Sequence, residues 1–187
     1  LDPSPFVEAL DKILLLVDQL TAAGIRLHHI DLGGGLGIRY KDEIAPTAKA
    51  YLQPLLAKLK GRGLKLILEP GRRLVGNAGV LLTKLEYLKP GEVKNFAIVD
   101  AAMNDLARPA LYDAWHTIEA VTPRAGATSD WQIVGPICES GDFLGRDRQL
   151  NLQAGDLLAI LSAGAYGMSM SSNYNARPRA AEVMVDN

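Results

Sequence analysis

A run of glycines directly behind an apolar segment is the first place where this sequence can do chemistry. Gly33, Gly34, Gly35 and Gly37 follow the stretch Ile25 to Leu32, and glycine amides approach an anion without interference from a Cβ atom. That suits a phosphate, although a tight turn would use the same residues. A second unit of this kind runs from Leu64 to Leu68 and leads straight into Glu69, Pro70, Gly71 and Arg72. A glycine here stands beside a cation at the C-terminal end of a strand, where the last two strands of an eight-unit α/β barrel commonly build a phosphate site. Two neighbouring loops of this type favour the phosphate over the turn. Glu69 raises its own question, because a carboxylate at the end of an apolar strand costs free energy to desolvate without a cationic partner. A protonated pyridine nitrogen would serve, and so would a salt bridge to Arg72 or Arg73.

Three further segments combine reactive side chains with turn residues. Asn104 to Tyr112 carries Asp105, Arg108 and Tyr112, Gly135 to Asp142 carries Cys138 and Glu139, and Gly164 to Gly167 brackets Tyr166 with small residues. All three read as binding loops, and each alone is compatible with an ordinary turn. His28 and His29 lack metal-ligand spacing and are read as plain buried or surface histidines, so no metal site is expected. Met168 and Met170 read as packing residues, and charged helix positions such as Lys58 and Lys60 as solvated.

The elements that must position these residues fall into two textures. Phe6, Leu10, Ile13, Val17 and Leu20 recur at helical spacing behind Ser4, read as the cap, and Pro5, while Gly24 ends the run. Ala48, Leu52, Leu55, Leu56 and Leu59 predict a second helix over residues 46–60, which Pro54 should kink or split. Beyond about Gly79 the pattern changes to short strands at 80–88, 96–99, 131–134, 157–161 and 181–185, separated by Pro, Gly and Asp turns. The chain is therefore read as an α/β portion, residues 1–80, followed by an all-β sandwich or Greek-key barrel, residues 81–187. Asp31 and Glu69 lie 38 residues apart, close to the roughly 31 residues per unit of an eight-unit barrel. Two such strands cannot close a barrel or cover both faces of a parallel sheet. The α/β portion is accordingly expected to be the last part of a (β/α)8 TIM-type barrel, and the chain a fragment.

Composition narrows the function classes. The 187 residues are 48% hydrophobic and 22% charged, the balance of a globular protein with enough apolar side chains to fill a core. Twenty Lys and Arg against 21 Asp and Glu give a net charge of -1, without the basic excess that nucleic-acid binders use. No apolar run approaches the roughly 20 residues of a membrane span, so neither nucleic acid nor membrane is expected as a partner. A lone cysteine, Cys138, forms no intrachain disulfide, which is compatible with a reducing cytoplasm.

Five motifs, taken together and in this order, carry a resemblance: Asp31 to Gly37, Glu69 to Arg72, Met103 to Tyr112, Gly135 to Asp142, and Gly164 to Gly167. They resemble those of the diaminopimelate decarboxylases, which are fold-type III pyridoxal-phosphate enzymes. That resemblance implies a (β/α)8 barrel joined to a β domain, and a cytoplasmic homodimer with active sites at the subunit interface. The implied reaction is decarboxylation of meso-2,6-diaminopimelate to L-lysine, the last step of lysine biosynthesis. It further implies that Gly33, Gly34 and Gly35, with Pro70, Gly71 and the Arg72 backbone, cradle the phosphate of pyridoxal 5'-phosphate. Glu69 would face the pyridine nitrogen and Tyr166 would help to close the cofactor site. Arg72, Arg108, Tyr112 and Tyr166 match substrate-binding positions. Cys138 and Glu139 match a pair contributed across the interface, Cys138 to reprotonate the α-carbon and Glu139 to hold the distal ammonium.

The sequence departs from the family pattern in one respect. The Schiff-base lysine and the histidine that stacks on the cofactor both belong to an upstream segment that does not occur here. Lys65 is no substitute, since it stands at the start of its strand, away from the loops. Inactivity of this chain alone is therefore expected. Two other classes fit the same residues, a noncatalytic dimerising regulator and a small phosphate-ligand binding module. Ornithine, arginine and carboxynorspermidine decarboxylases share the barrel motifs, but Arg108, Tyr112 and Glu139 together suit a substrate with both charges at its far end.

Overall fold

The first helix is set by its apolar stripe. In the computed structural model, which describes residues 2–186, α1 runs from Ser4 to Ala22 and buries Leu10, Leu14 and Val17. Pro5 lies in its first turn as expected, but Ser4 is not the cap: Pro3 holds that position, and the Asp2 carboxylate accepts from the Ser4 amide at 2.9 Å. The longer-reaching carboxylate thus does what the serine hydroxyl was expected to do. Gly24 ends the helix in the left-handed region, at φ +84°. The Gly24 amide donates to Thr21 and the Ile25 amide to Leu20, the paired bonds of a Schellman motif.

Strand β1 (His29–Asp31) and strand β2 (Lys65–Ile67) pair in parallel, with Ile30 opposite Leu66. Both are shorter than the apolar runs that contain them, since only these residues find a ladder partner. Between them α2 (Ala48–Leu59) is capped by Thr47, whose hydroxyl accepts from the Ala50 amide at 3.1 Å. Pro54 does not split α2. Its missing N–H would have served the carbonyl of Ala50, an exposed residue of the first turn that water can satisfy. Leu10, Leu14 and Val17 of α1 pack with Tyr51, Leu55 and Leu59 of α2 and Ile30 of β1 in one apolar cluster. Lys58 is more than a solvated charge, since it pairs with Asp11 of α1 at 2.6 Å; such partly exposed pairs are worth about 0–1 kcal/mol.

A second compact unit begins at Val75, at the end of the short helix α3 (Gly71–Val75). Its six-stranded sheet consists of β3 (Leu81–Lys89), β4 (Asn95–Val99), β5 (Ile118–Ala120), β6 (Ser129–Val134), β7 (Phe143–Leu150) and β8 (Leu157–Ile160). Their order is β5-β8-β3-β4-β6-β7, antiparallel except for the parallel pair β4 and β6. The sheet curls until its two edges meet: the Arg148 guanidinium on β7 donates to the carbonyl of His116, just before β5, at 3.1 Å. The arrangement is barrel-like rather than a sandwich. Its core contains Leu85, Val99, Leu106, Ile133, Leu144, Leu158 and Ile160.

The strand expected over 181–185 does not form. Val183, Met184 and Val185 are 81%, 94% and 83% exposed, because the run has β propensity but pairs with no strand among the described residues. Strands β5 and β7 were not expected. Strand β7 includes Gly145, Arg146, Asp147 and Arg148, a composition that suggests a turn. It holds through its antiparallel ladder with β6, in which Trp131 stands opposite Arg148, and Arg148 also lies 3.3 Å over the Trp115 ring, an electrostatic attraction to the ring face that helps to bury the cation. That burial depresses the Arg148 pKa to about 10. The segment 104–112, read as a loop, ends in a short helix, α4 (Arg108–Tyr112), with Pro109 in its first turn.

Candidate active site

In the first unit the two glycine loops meet. The Glu69 amide donates to the Gly33 carbonyl at 2.8 Å and the Leu32 amide to the Ile67 carbonyl at 3.2 Å, extending the β1–β2 contact into both loops. Gly34 must be glycine, because a Cβ there would stand 2.7 Å from the Glu69 carbonyl oxygen. Gly33 and Gly35 adopt φ +66° and +106°, values that L side chains rarely tolerate.

The amides of this region are unequally committed. That of Gly33 donates to the Asp31 carboxylate at 2.8 Å, and that of Gly71 to the Glu69 carbonyl at 2.8 Å. The Gly34 and Gly35 amides meet no acceptor among the described residues, so they are the donors that remain for an anion. A pocket of about 120 Å³ opens beside them, lined in part by Leu36, Tyr51, Leu68 and Pro70. Tyr51 is buried there with an unpartnered hydroxyl, and that burial pushes its pKa up. Two open backbone amides in a loop where no Cβ fits at Gly34 are what a phosphate group would satisfy, so the cradle fits the phosphate end of pyridoxal phosphate. Glu69 itself is exposed and enters no ion pair among the described residues. Within this chain, then, no desolvation has to be offset, and a salt bridge to Arg72 or Arg73 is not formed.

In the second unit the three remaining loops are tied to one another. Asp142 is buried, and its two carboxylate oxygens accept from different segments, Oδ1 from the Met103 amide at 2.7 Å and Oδ2 from the Ile137 amide at 2.8 Å. One side chain thereby joins the Met103–Tyr112 segment to the loop that presents Cys138 and Glu139. Desolvation raises its pKa despite these two bonds. Gly135 permits the approach, since a Cβ there would lie 2.4 Å from Asp142 Oδ2 and 2.7 Å from the Ala101 carbonyl. Arg177 adds a second tie by donating to the buried Asn104 at 3.0 Å. Cys138 and Glu139 are exposed at the loop's tip, and the Glu139 carboxylate accepts from the Ser140 hydroxyl at 3.2 Å.

Arg108 opens α4, and its guanidinium carbon lies 6.0 Å from the centre of the Tyr166 ring. On its other side Nη1 lies 3.2 Å from Nε2 of His116. Tyr166 is held at φ +61°, an uncommon conformation for a bulky residue, which costs on the order of 1–3 kcal/mol and is typical of functional sites. Its loop is clamped by glycines. A Cβ on Gly164 would stand 1.9 Å from the Val75 carbonyl oxygen and one on Gly167 2.4 Å from that of Ala163. Tyr112, at the far end of α4, is 65% exposed. Sequence reasoning gathered Arg108, Tyr112 and Tyr166 as candidates but missed His116 and the tying role of Asp142. Asp142 lay inside a recognised motif, and His116 stands only eight residues beyond Arg108, a proximity that could have flagged it.

A curled sheet that presents these loops, in a chain that also carries a glycine cradle suited to a phosphate, defines a class. The family model described as the C-terminal sheet domain of pyridoxal-dependent decarboxylases matches residues 10–164, and the chain belongs to that family. Among individual relatives, the diaminopimelate decarboxylase of Neisseria meningitidis serogroup A is 64% identical over 99% of this chain and 46% of its own length. That of Pseudomonas aeruginosa is 61% identical over 97% of this chain and 44% of its own. The crystal structure of the Helicobacter pylori diaminopimelate decarboxylase complexed with L-lysine superposes with a TM-score of 0.89 at 44% identity, over 96% of this chain and 45% of that one. The chain thus spans about half the length of the relatives it matches.

Proposed function

We propose that this chain is the C-terminal portion of a diaminopimelate decarboxylase, and that it supplies part of the cofactor cradle and the substrate-recognition residues of that enzyme. The observation that carries the reading is Arg108, a guanidinium fixed between His116 and the Tyr166 ring in a chain 64% identical to a diaminopimelate decarboxylase. Diaminopimelate has an ammonium and a carboxylate at each end. A guanidinium can grip the distal carboxylate by two parallel hydrogen bonds, a geometry that lysine does not reproduce. Arg72 and Tyr112 assist Arg108, and Glu139 neutralises the distal ammonium.

Bound pyridoxal phosphate supplies an electron sink for the charge left when CO2 departs. The Gly34 and Gly35 amides would hold its phosphate, with Gly33, Pro70, Gly71 and the Arg72 backbone shaping the cradle, and Tyr166 would help to close the cofactor site. The Glu69 carboxylate would keep its pyridine nitrogen protonated. Cys138 donates a proton to the substrate's α-carbon. The Schiff-base lysine comes from a segment outside these residues. The working form is a cytoplasmic homodimer in which Cys138 and Glu139 serve the partner's site, and the product, L-lysine, makes this the closing step of lysine biosynthesis.

Arg108→Ala in the full-length enzyme tests the assignment. Truncating one partner of a desolvated charge pair costs roughly 2–5 kcal/mol, so kcat/KM for diaminopimelate should fall by about two to three orders of magnitude. Cofactor affinity should be unchanged, because Arg108 is not assigned to the phosphate. Loss of cofactor affinity with near-normal turnover at saturating cofactor would move Arg108 out of the substrate site.

A further inference from the structure

His116 is fully buried and pinned from three elements. Its Nδ1 lies 2.9 Å from the Leu161 carbonyl, just after β8. A carbonyl only accepts, so Nδ1 carries the proton and donates. Its own backbone carbonyl accepts from Arg148 of β7. In the neutral ring Nε2 is then a lone-pair acceptor, and it faces the Arg108 Nη1 at 3.2 Å. The charged groups around the ring, Arg108 from α4 and Arg148 from β7, are both cations, and with burial they hold its pKa below the ordinary histidine value. The ring therefore stays neutral at physiological pH and keeps that acceptor available.

We infer that His116 is a positioning residue that sets the direction of the Arg108 guanidinium and thereby the enzyme's preference for ligands with a distal carboxylate. An arginine side chain gives up much of its rotamer freedom when it is held in one direction. One nitrogen anchored on a rigid acceptor removes part of that cost before substrate arrives. The inference rests on Arg108 as the residue that receives that carboxylate.

The test uses the full-length holoenzyme with three ligands: diaminopimelate, its product L-lysine, which retains the distal carboxylate, and cadaverine, which has none. His116→Asn keeps a donor near the place of Nδ1 but has nothing at that of Nε2. KM for diaminopimelate and the lysine inhibition constant should both rise about ten- to a hundredfold, the effect of one hydrogen bond to a charged group. The cadaverine constant, the cofactor affinity and kcat at saturation should move less than about twofold, since none of them draws on a grip on the distal carboxylate. His116→Gln, whose amide oxygen reaches the place of Nε2, should recover most of the loss. If His116→Asn does not fold, the unaltered enzyme gives the same reading by titration. As pH falls below the ordinary histidine value of about 6.5 and through the lowered value of this ring, protonation removes the acceptor, so lysine binding should weaken relative to cadaverine binding. Equal shifts for lysine and cadaverine, or no shift in either, would overturn the role of His116. Failure of the unaltered enzyme to decarboxylate diaminopimelate would instead overturn the assignment of function, and this inference with it.

Discussion

Asp142 shows how a single buried side chain can tie two loops together. Its two oxygens accept from the Met103 and Ile137 amides, and both amides would be left buried and unsatisfied without it. The charge itself is a burden, because burial raises the pKa. The folded protein therefore holds this proton to a higher pH than the unfolded chain, and the contribution of the group to stability declines as pH rises through the raised value. The two hydrogen bonds offset that burden. Asp142→Asn removes the charge but turns an NH2 group toward one of the two amides, donor against donor. A loss of about 1–3 kcal/mol is expected at pH 7, visible as a lower Tm. The gap should widen toward pH 4, where the native carboxyl gains its proton and sheds the burden of the buried charge while the amide does not titrate. An unchanged Tm at pH 7 would show that the tie is dispensable. None of this was legible in the sequence, where Asp142 looked like one more polar residue of a turn; its two amide partners are brought to it only by the strands β4 and β6.

At the scale of elements, legibility followed local pattern. Helix α1 was readable because Leu10, Leu14 and Val17 repeat at helical spacing and Gly24 supplies the positive φ of its stop. Strand β7 was not, because its Gly145-Arg146-Asp147-Arg148 run becomes a strand only by pairing with β6, with Arg148 stacked on Trp115 and bonded to the His116 carbonyl, contacts to residues more than 30 positions away. The run 181–185 failed in the opposite sense, having strand-like residues but no partner strand. The glycine loops were readable as chemistry, and the coordinates add the reason that particular glycines are needed. Gly164 illustrates it best, for its amide donates to the Gly76 carbonyl at 3.1 Å while its α-carbon packs where no Cβ fits. Gly164→Ala should force the Tyr166 loop away from the segment after α3. Overpacking of this kind costs typically about 1–3 kcal/mol, and the displaced Tyr166 ring should lower cofactor affinity in the full-length enzyme by about tenfold or more. Fluorescence titration with pyridoxal phosphate, beside a melting curve, reads both. Normal affinity in a destabilised variant would separate the loop's packing from any cofactor role.

At the scale of the whole molecule, the open question is which residues share a site. Cys138 is exposed at the tip of the loop that Asp142 fastens, and its thiol makes no hydrogen bond among the described residues. A proton donor in that position can serve a site only if something is brought to it, and in a symmetric dimer the twofold axis presents each loop to the other subunit. The consequence can be worked out with two inactive subunits. One carries Cys138→Ala and retains the Schiff-base lysine; the other lacks that lysine and retains Cys138. In the mixed dimer the lysine of the first then lies beside the cysteine of the second, so one of its two sites is intact and the other lacks both groups. Random exchange of equal amounts makes half of the dimers mixed, and restored activity should reach roughly a quarter of that of the unaltered enzyme. Were Cys138 to act within its own subunit, neither site of the mixed dimer would contain both groups. Mixed dimers demonstrated by mass but devoid of activity would therefore return Cys138 to the site of its own chain, and with it Glu139, which the same loop carries.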